Sequence, residues 1–186
     1  PDCLGAQVME ILTRTARVKP VWVELGVQTV HDETAARLNR CYPTSLFFSA
    51  AEQLAQAGLP VIAHLILGLP GETAAMMTQS VDAVCRAPVS GLKLALLHVL
   101  RGTPLEEAYH KGLVPYYSLD AYADLLCSLL SRVPASVVLH RLTGDGDRRL
   151  LLSPLWSADK KRVLNTLKRR FLEKNVVQGS FFQKTY

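Results

Sequence analysis

V-W-V-E-L-G-V-Q-T at residues 21–29 and H-L-I-L-G-L-P-G-E-T at residues 64–73 decide how this chain is read. Each begins as a run of β-branched and aliphatic residues and ends in a polar loop containing glycine. A helical pattern follows each. An α/β enzyme carries polar groups to the C-terminal end of its sheet in this way, and ligands bind there. Side chains alternate along a strand, so Glu24, Gly26 and Gln28 share one face, as do His64, Ile66 and Gly68. If these faces line the inside of a curved sheet, Glu24, Gln28 and His64 point into one cavity. A carboxylate and an imidazole inside a fold are costly without partners, and convergence on a cofactor is one solution.

Outward from these two segments, apolar periodicity predicts strands at 21–25, 60–67, 92–100 and 137–142. Helices are expected at 5–16, 32–40, 45–57, 72–86, 105–111, 118–133 and 157–173, with Asp32 and Ser157 as N-caps. Strands alternating with helices argue for a parallel sheet built from βαβ units. The expected organisation is an α/β portion at 1–135 and a C-terminal extension at 136–186 carrying the last strand and helix.

The chain has 186 residues, 49% of them hydrophobic, enough for a sizeable core and too many for disorder. No apolar run reaches membrane-spanning length and no signal peptide opens the chain, so a cytoplasmic protein is expected. The first residue is Pro1, as if the sequence were cut from something longer. Cys3, Cys41, Cys85 and Cys127 lie far apart with no C-x-x-C pair, which argues for free thiols and against a local zinc or cluster site. The net charge of +5 is concentrated in the last quarter, from Arg141 to Lys174. Such a cluster holds phosphates or is a solvated helix face, and the sequence does not separate the two.

In G-L-P-G-E-T, Gly68 permits close backbone approach to a ligand, and Pro70 and Gly71 fix a tight turn. The G-x-x-x-x-G-K-[ST] pattern is missing, so this is not a P-loop. H-R-L-T-G-D-G-D at 140–147 offers His140 and Asp145 as substrate-side acid/base groups, or His140 with Arg141 as a phosphate clamp, against an ordinary turn.

V-E-L-G-V-Q-T, then R-L-N-R, then H-L-I-L-G-L-P-G-E-T, then the segment 92–104 ending in G-T-P, resembles radical S-adenosylmethionine enzymes. The opening P-D-C-L, H-D-E-T after Thr29, H-R-L-T-G-D and L-L-S-P-L-W resemble the Elongator-related YhcC/YtqA-like subfamily. The resemblance covers essentially the whole chain. It implies the C-terminal half of a partial (βα)6 TIM-like barrel, in which S-adenosylmethionine on a [4Fe-4S] cluster is cleaved to a 5′-deoxyadenosyl radical. Position by position, Gln28 and Arg40 match residues on the ribose and carboxylate side of the cofactor. Ile66 and Gly68 match the strand along the adenine, and Glu24 belongs to the same ordered set. His64, His98 and His140 are the expected catalytic groups facing cofactor or substrate. The three-cysteine cluster loop would precede Pro1, in an N-terminal half-barrel that completes the site, and the fragment alone would be inactive and bind no cofactor. Cys41 to Pro43 replace a Gly-His-Asp of relatives, and Ala95 stands where relatives tend to carry His.

The resemblance also implies tRNA wobble-uridine modification. Two other readings are a TIM-barrel-like hydrolase or lyase using Glu24, His64 and His98, and a basic RNA-binding module. Removing half of a barrel exposes an edge at residues 21–25 and interior surface at Val23, Ile66 and Leu94. Self-association through that edge is expected, or its covering by the tail at 175–186.

Overall fold

The computed structural model describes residues 1–144 and 146–182. Asp145 and residues 183–186 lie outside the described residues. Among the described residues the strands are β1 (Val23–Gln28), β2 (Val61–Leu67), β3 (Gly91–Leu96), β4 (Val99–Leu100), β5 (Val138–Arg141) and β6 (Leu151–Ser153). The helices are α1 (Ala6–Ala16), α2 (Asp32–Arg37), α3 (Thr44–Gln56), α4 (Ala74–Arg86), α5 (Pro104–His110), α6 (Leu119–Leu130) and α7 (Lys160–Glu173). The main sheet has the order β1-β2-β3-β5, parallel throughout. β4 and β6 form a separate antiparallel ribbon.

Alternation gives the sheet two chemically different faces. Leu25, Val27, Ala63, Leu65, Leu67, Leu92, Leu94 and Leu96 are buried in one core with Phe47 and Leu54 of α3, Met77 and Val81 of α4, and Tyr122 and Leu126 of α6. Glu24, Gly26, Gln28, His64, Ile66, Lys93 and Ala95 occupy the other face and are incompletely buried. Leu94 therefore lies on the helix side, fully buried. The interior surface expected there belongs to Ile66 and Ala95.

The expected strand at 92–100 breaks after Leu96. Leu97 N–H still donates to Leu67 O, but Val99 then pairs with Ser153 and Arg101 N–H donates to Leu150 O. The ribbon thus pulls His98 off the main sheet. Helix ends follow local chemistry. Thr73 caps α4 through Met76 N–H at 3.3 Å, and Ser118 caps α6 through Ala121 N–H at 3.1 Å. Asp159, not Ser157, caps α7, because residues 155–158 form a separate 3₁₀ turn. Asp32 is the first residue of α2 and receives Thr44 N–H at the start of α3. On α7, Val163 and Leu167 are buried while Leu164 is exposed. α1 buries no residue fully.

Among the described residues β1 is an outer strand with β2 as its one partner. The described part of the tail, up to residue 182, lies elsewhere. Gln178 Nε2 donates to Pro134 O and Val137 O, and Phe181 N–H donates to Ser131 O. Residues 178–181 thus run past the C-terminal end of α6 toward β5, at the opposite border of the sheet.

Candidate functional site

A cavity of about 500 Å³ opens where β1 and β2 end, lined by Gln28, Arg40, Tyr42, Ile66, Leu69 and Leu97 among others. Gln28 sits at a register shift, with Gly26 opposite His64 and Gln28 opposite Leu65. Its φ is +56°, a left-handed conformation that costs a non-glycine residue about 1–2 kcal/mol. The side chain folds back over Gly26, where any Cβ would collide with its amide nitrogen. Gln28 Oε1 is buried with no protein partner. A strained residue with an orphaned acceptor at a strand end is the mark of a ligand site.

Arg40 plays a different part from Gln28. Its side chain is 4% exposed. Nε–H donates to Tyr42 O, Nη1 to Val27 O and Thr29 O, and Nη2 to Asp32 Oδ1 and Thr44 Oγ1. These five contacts match the five N–H groups of a guanidinium. Arg40 therefore lines the cavity while holding the β1–α2 loop and the start of α3 in place, with no donor left over for a ligand. Tyr42 closes the same wall, its hydroxyl donating to Gly26 O at 2.6 Å and its ring 5.1 Å from the Arg40 guanidinium. Burial raises the Tyr42 pKa above the usual phenol value, so it stays a donor.

The two motifs that open the sequence reading are bonded to each other. Thr29 Oγ1 donates to Glu72 Oε1 at 2.5 Å, both residues buried, and Thr29 Oγ1 also accepts His31 N–H. Gly68 has φ +79° and packs under Tyr117 and Leu96, which a Cβ would meet at 3.2–3.3 Å. The close approach that Gly68 allows is thus made by Tyr117, and Ile66 and Leu69 are the residues of this motif on the cavity wall.

Below the cavity the open face of the sheet carries a polar cluster. Glu24 Oε2 lies 2.5 Å from Lys93 Nζ and 2.8 Å from His64 Nε2. The hydrogen bond from Lys93 holds the Glu24 carboxyl below its ordinary pKa. Burial, then the Lys93 charge, pushes His64 below its ordinary value despite Glu24. His140 rests against Gly91, where a Cβ would strike its ring. The sequence alone does not single out Lys93. Its signal was a lysine at an inward position of G-L-K-L-A-L, flanked by leucines that face the helices. His98 is elsewhere, against Gly144 and Gly146 in a cavity of about 310 Å³ that Arg148 and Lys160 also line. It lies five residues beyond Lys93, the strand partner of His64, or roughly 16 Å along the chain. The structure does not assemble Glu24, His64 and His98 into one acid/base site.

Cys3 and Cys41 are exposed, Cys85 and Cys127 buried, and all four are free thiols. Burial pushes the Cys85 pKa up to about 12. Among the described residues no group of three or more His, Cys, Asp or Glu is placed to hold a metal, and no helix is long and apolar enough to cross a membrane. On α7, Lys161, Arg162, Lys168 and Arg169 are exposed, whereas Arg170 and Lys174 are paired with Asp120 and Asp124 of α6.

Residues 4–84 match the family model of the radical SAM superfamily, and residues 89–173 match that of the Radical_SAM C-terminal domain. The chain belongs to the radical SAM superfamily, in its YhcC/YtqA-like, Elongator-related subfamily. It is 38% identical to YtqA of Bacillus subtilis over 99% of this chain and 57% of that protein. To YhcC of Escherichia coli K12 it is 34% identical over 97% of this chain and 58% of that protein. Elongator complex protein 3 of Dictyostelium discoideum is 29% identical over 78% of this chain and 26% of its own length. The chain thus spans a little over half the length of YtqA and YhcC. In fold it matches Elp3 of the archaeon Methanocaldococcus infernus, with a TM-score of 0.77 and 20% identity over 91% of this chain and 40% of that one. This likeness supports a partial TIM-like barrel as the fold.

Enzymes of this family generally use S-adenosylmethionine and a [4Fe-4S] cluster. The cavity at Gln28 fits part of the first: an apolar wall from Ile66, Leu69 and Leu97 beside an orphaned amide oxygen that an amino or hydroxyl group can satisfy. The cluster does not fit these residues, since no three cysteines converge.

Proposed function

We propose that this chain is the C-terminal half of the catalytic barrel of a radical SAM enzyme and supplies one side of its cofactor site. The carrying observation is Gln28: strained, folded over Gly26, with Oε1 buried and unpartnered on the wall of a ligand-sized cavity. Bound S-adenosylmethionine supplies a carbon radical when it is reduced. The residues here bind and orient. Gln28 accepts a hydrogen bond from the ribose or amino-acid side, Ile66, Leu69 and Leu97 exclude water from the adenine, and Arg40 fixes the loop that carries Tyr42. The cluster and the remaining wall belong to the preceding half-barrel, so this chain alone does not cleave the cofactor.

The substrate reading extends to tRNA, with a wobble uridine as the target. The Elongator likeness and the exposed basic stripe of α7 support it. Such binding weakens steeply with salt, and reversing Lys161, Arg162 and Arg169 to Glu is expected to reduce it.

The cofactor reading, which replaces the expectation that the isolated chain binds no cofactor by weak binding at this cavity, is tested by saturation-transfer NMR of this chain with S-adenosylmethionine. Saturable binding that Gln28→Ala weakens about tenfold, the worth of one buried hydrogen bond, is expected. Binding indifferent to Gln28, or none, sinks the assignment.

A further inference from the structure

The Gln28 side chain ends in an amide, and the direction of that amide decides what the cavity at β1 and β2 can bind. The oxygen end accepts hydrogen bonds and the nitrogen end donates them. The two ends have nearly the same volume, so the hydrogen-bond network and not packing sets the direction. Here Tyr42 sets it. The Tyr42 hydroxyl donates to Gly26 O at 2.6 Å. A carbonyl oxygen only accepts, so this contact uses the one proton of the hydroxyl. Toward every other group the Tyr42 oxygen is an acceptor. Gln28 meets it with its nitrogen end: burial raises the Tyr42 pKa, and the Gln28 side chain works against this as a hydrogen-bond donor. The nitrogen end also lies over Gly26, where a Cβ would collide with Nε2 and stand 3.7 Å from Oε1. With Nε2 turned onto the protein, Oε1 is the end left buried without a protein partner, and both Gln28 and Tyr42 line the cavity. Inverting the amide sets Oε1 against a lone pair of Tyr42, two acceptors facing each other.

We propose that Tyr42 is a positioning residue that locks Gln28 as a hydrogen-bond acceptor, and so restricts the cavity to ligands that bring a donor, a hydroxyl or an ammonium group, to that point of its wall. The lock is anchored from behind. Arg40 Nε–H donates to Tyr42 O, and the Arg40 guanidinium lies 5.1 Å from the centre of the Tyr42 ring. Arg40 thus holds Tyr42 by backbone and ring, and Tyr42 holds the amide. A ligand that offers an acceptor at this point leaves two buried acceptors unsatisfied, which is the costly case for polar groups away from water. The inference rests on the proposed function for the identity of the ligand as S-adenosylmethionine, whose donors are its ribose hydroxyls and its amino group. The direction of the amide follows from Gly26, Gln28 and Tyr42 alone.

The test is NMR of this chain in two parts. In the unliganded wild-type chain, a nuclear Overhauser contact between a Gln28 Nε2 proton and the Tyr42 ring is expected, and it needs no variant. Saturation transfer then compares two ligand pairs. Adenosine is set against 2′,3′-di-O-methyladenosine, which keeps the ribose oxygens and loses their protons. S-adenosylmethionine is set against its deaminated analogue, which loses the ammonium. One pair should show a preference of about tenfold for the member that keeps its donor, and which pair does so tells hydroxyl from ammonium. Tyr42→Phe keeps the ring and frees the amide to turn, so that preference should fall to about twofold or less. Adding Gln28→Glu to Tyr42→Phe should restore it, because a carboxylate accepts with either oxygen; a Tyr42 that only supported the loop would give no such rescue. A missing Overhauser contact, or a preference that Tyr42→Phe leaves unchanged, overturns the proposal while binding itself still supports the cofactor assignment. No binding of any of the four ligands, with the Overhauser contact present, removes the cofactor assignment and supports the lock.

Discussion

Arg40 and Gln28 stand twelve residues apart in sequence, line one cavity, and do opposite jobs. Arg40 is saturated by the protein, whereas Gln28 is left with an unmet acceptor. Their substitutions should therefore separate stability from binding. Arg40→Lys keeps the charge but not the planar fork, and leaves the carbonyls of Val27, Thr29 and Tyr42 short of donors. It should cost about 2–3 kcal/mol in urea unfolding. Gln28→Ala removes no protein hydrogen bond of Oε1 and should leave unfolding nearly unchanged. If Arg40→Lys proves neutral, the loop is held by something else. Thr29 offers a third contrast. Thr29→Val strands the Glu72 carboxylate oxygen that it now satisfies, for an expected loss of about 1–3 kcal/mol. The same substitution loosens the contact between the two motif loops, so Tm should fall with it.

At the scale of strands, the register across β1, β2 and β3 sets protonation. His64 has its folded pKa below its ordinary 6.5, so its contribution to stability is complete above pH 6.5 and is lost as pH falls through the folded value. Glu24 is also lowered, from 4.5, so its contribution is complete above 4.5 and is lost at still lower pH. Both act in the same direction: acidification destabilises the sheet, first just below pH 6.5. Both side chains are more than a third exposed, which keeps the effect small. His64→Asn should flatten the first limb of a stability–pH curve. Lys93→Met should move the His64 titration upward in an NMR pH series, because Glu24 then acts on it unopposed. A downward move would show that Lys93 is not the neighbouring charge. Gly91→Ala tests the β3–β5 contact. Its Cβ would meet His140 and Ile62 at under 3 Å, so a loss of about 1–3 kcal/mol and a displaced His140 signal are expected.

For the whole molecule, the outer border of β1 has the largest consequence. Among the described residues only β2 pairs with this strand, and Trp22 beside it is 55% exposed. Tyr42 holds Gly26 O of this strand. An open apolar edge recruits other strands. The chain is therefore expected to self-associate with rising concentration in light scattering, and Trp22→Lys should shift it toward monomer. A wild-type chain monomeric throughout would show that the edge is shielded.

The alternation of strands and helices, the parallel sheet and the family were legible in the sequence, because hydrophobic period and motif order are local properties. The α6 stripe of Tyr122, Leu125, Leu126 and Leu129 is buried as its spacing required. Gln28 and Ile66 were placed on the cavity wall for the same reason, since a strand alternates whatever surrounds it. What the sequence could not contain was the outcome of competition between distant groups. Arg40 is used up by carbonyls of the chain, and Gly68 is covered by Tyr117, forty-nine residues on. His98 was lost to the ribbon, where pairing with β6 outweighed continuation of β3. Lys93 gained its role only through register, which is fixed by how β2, β3 and β5 align and not by any one strand. Tertiary structure decided these because each depends on which partner reaches a polar group first, and that is a matter of distance in space.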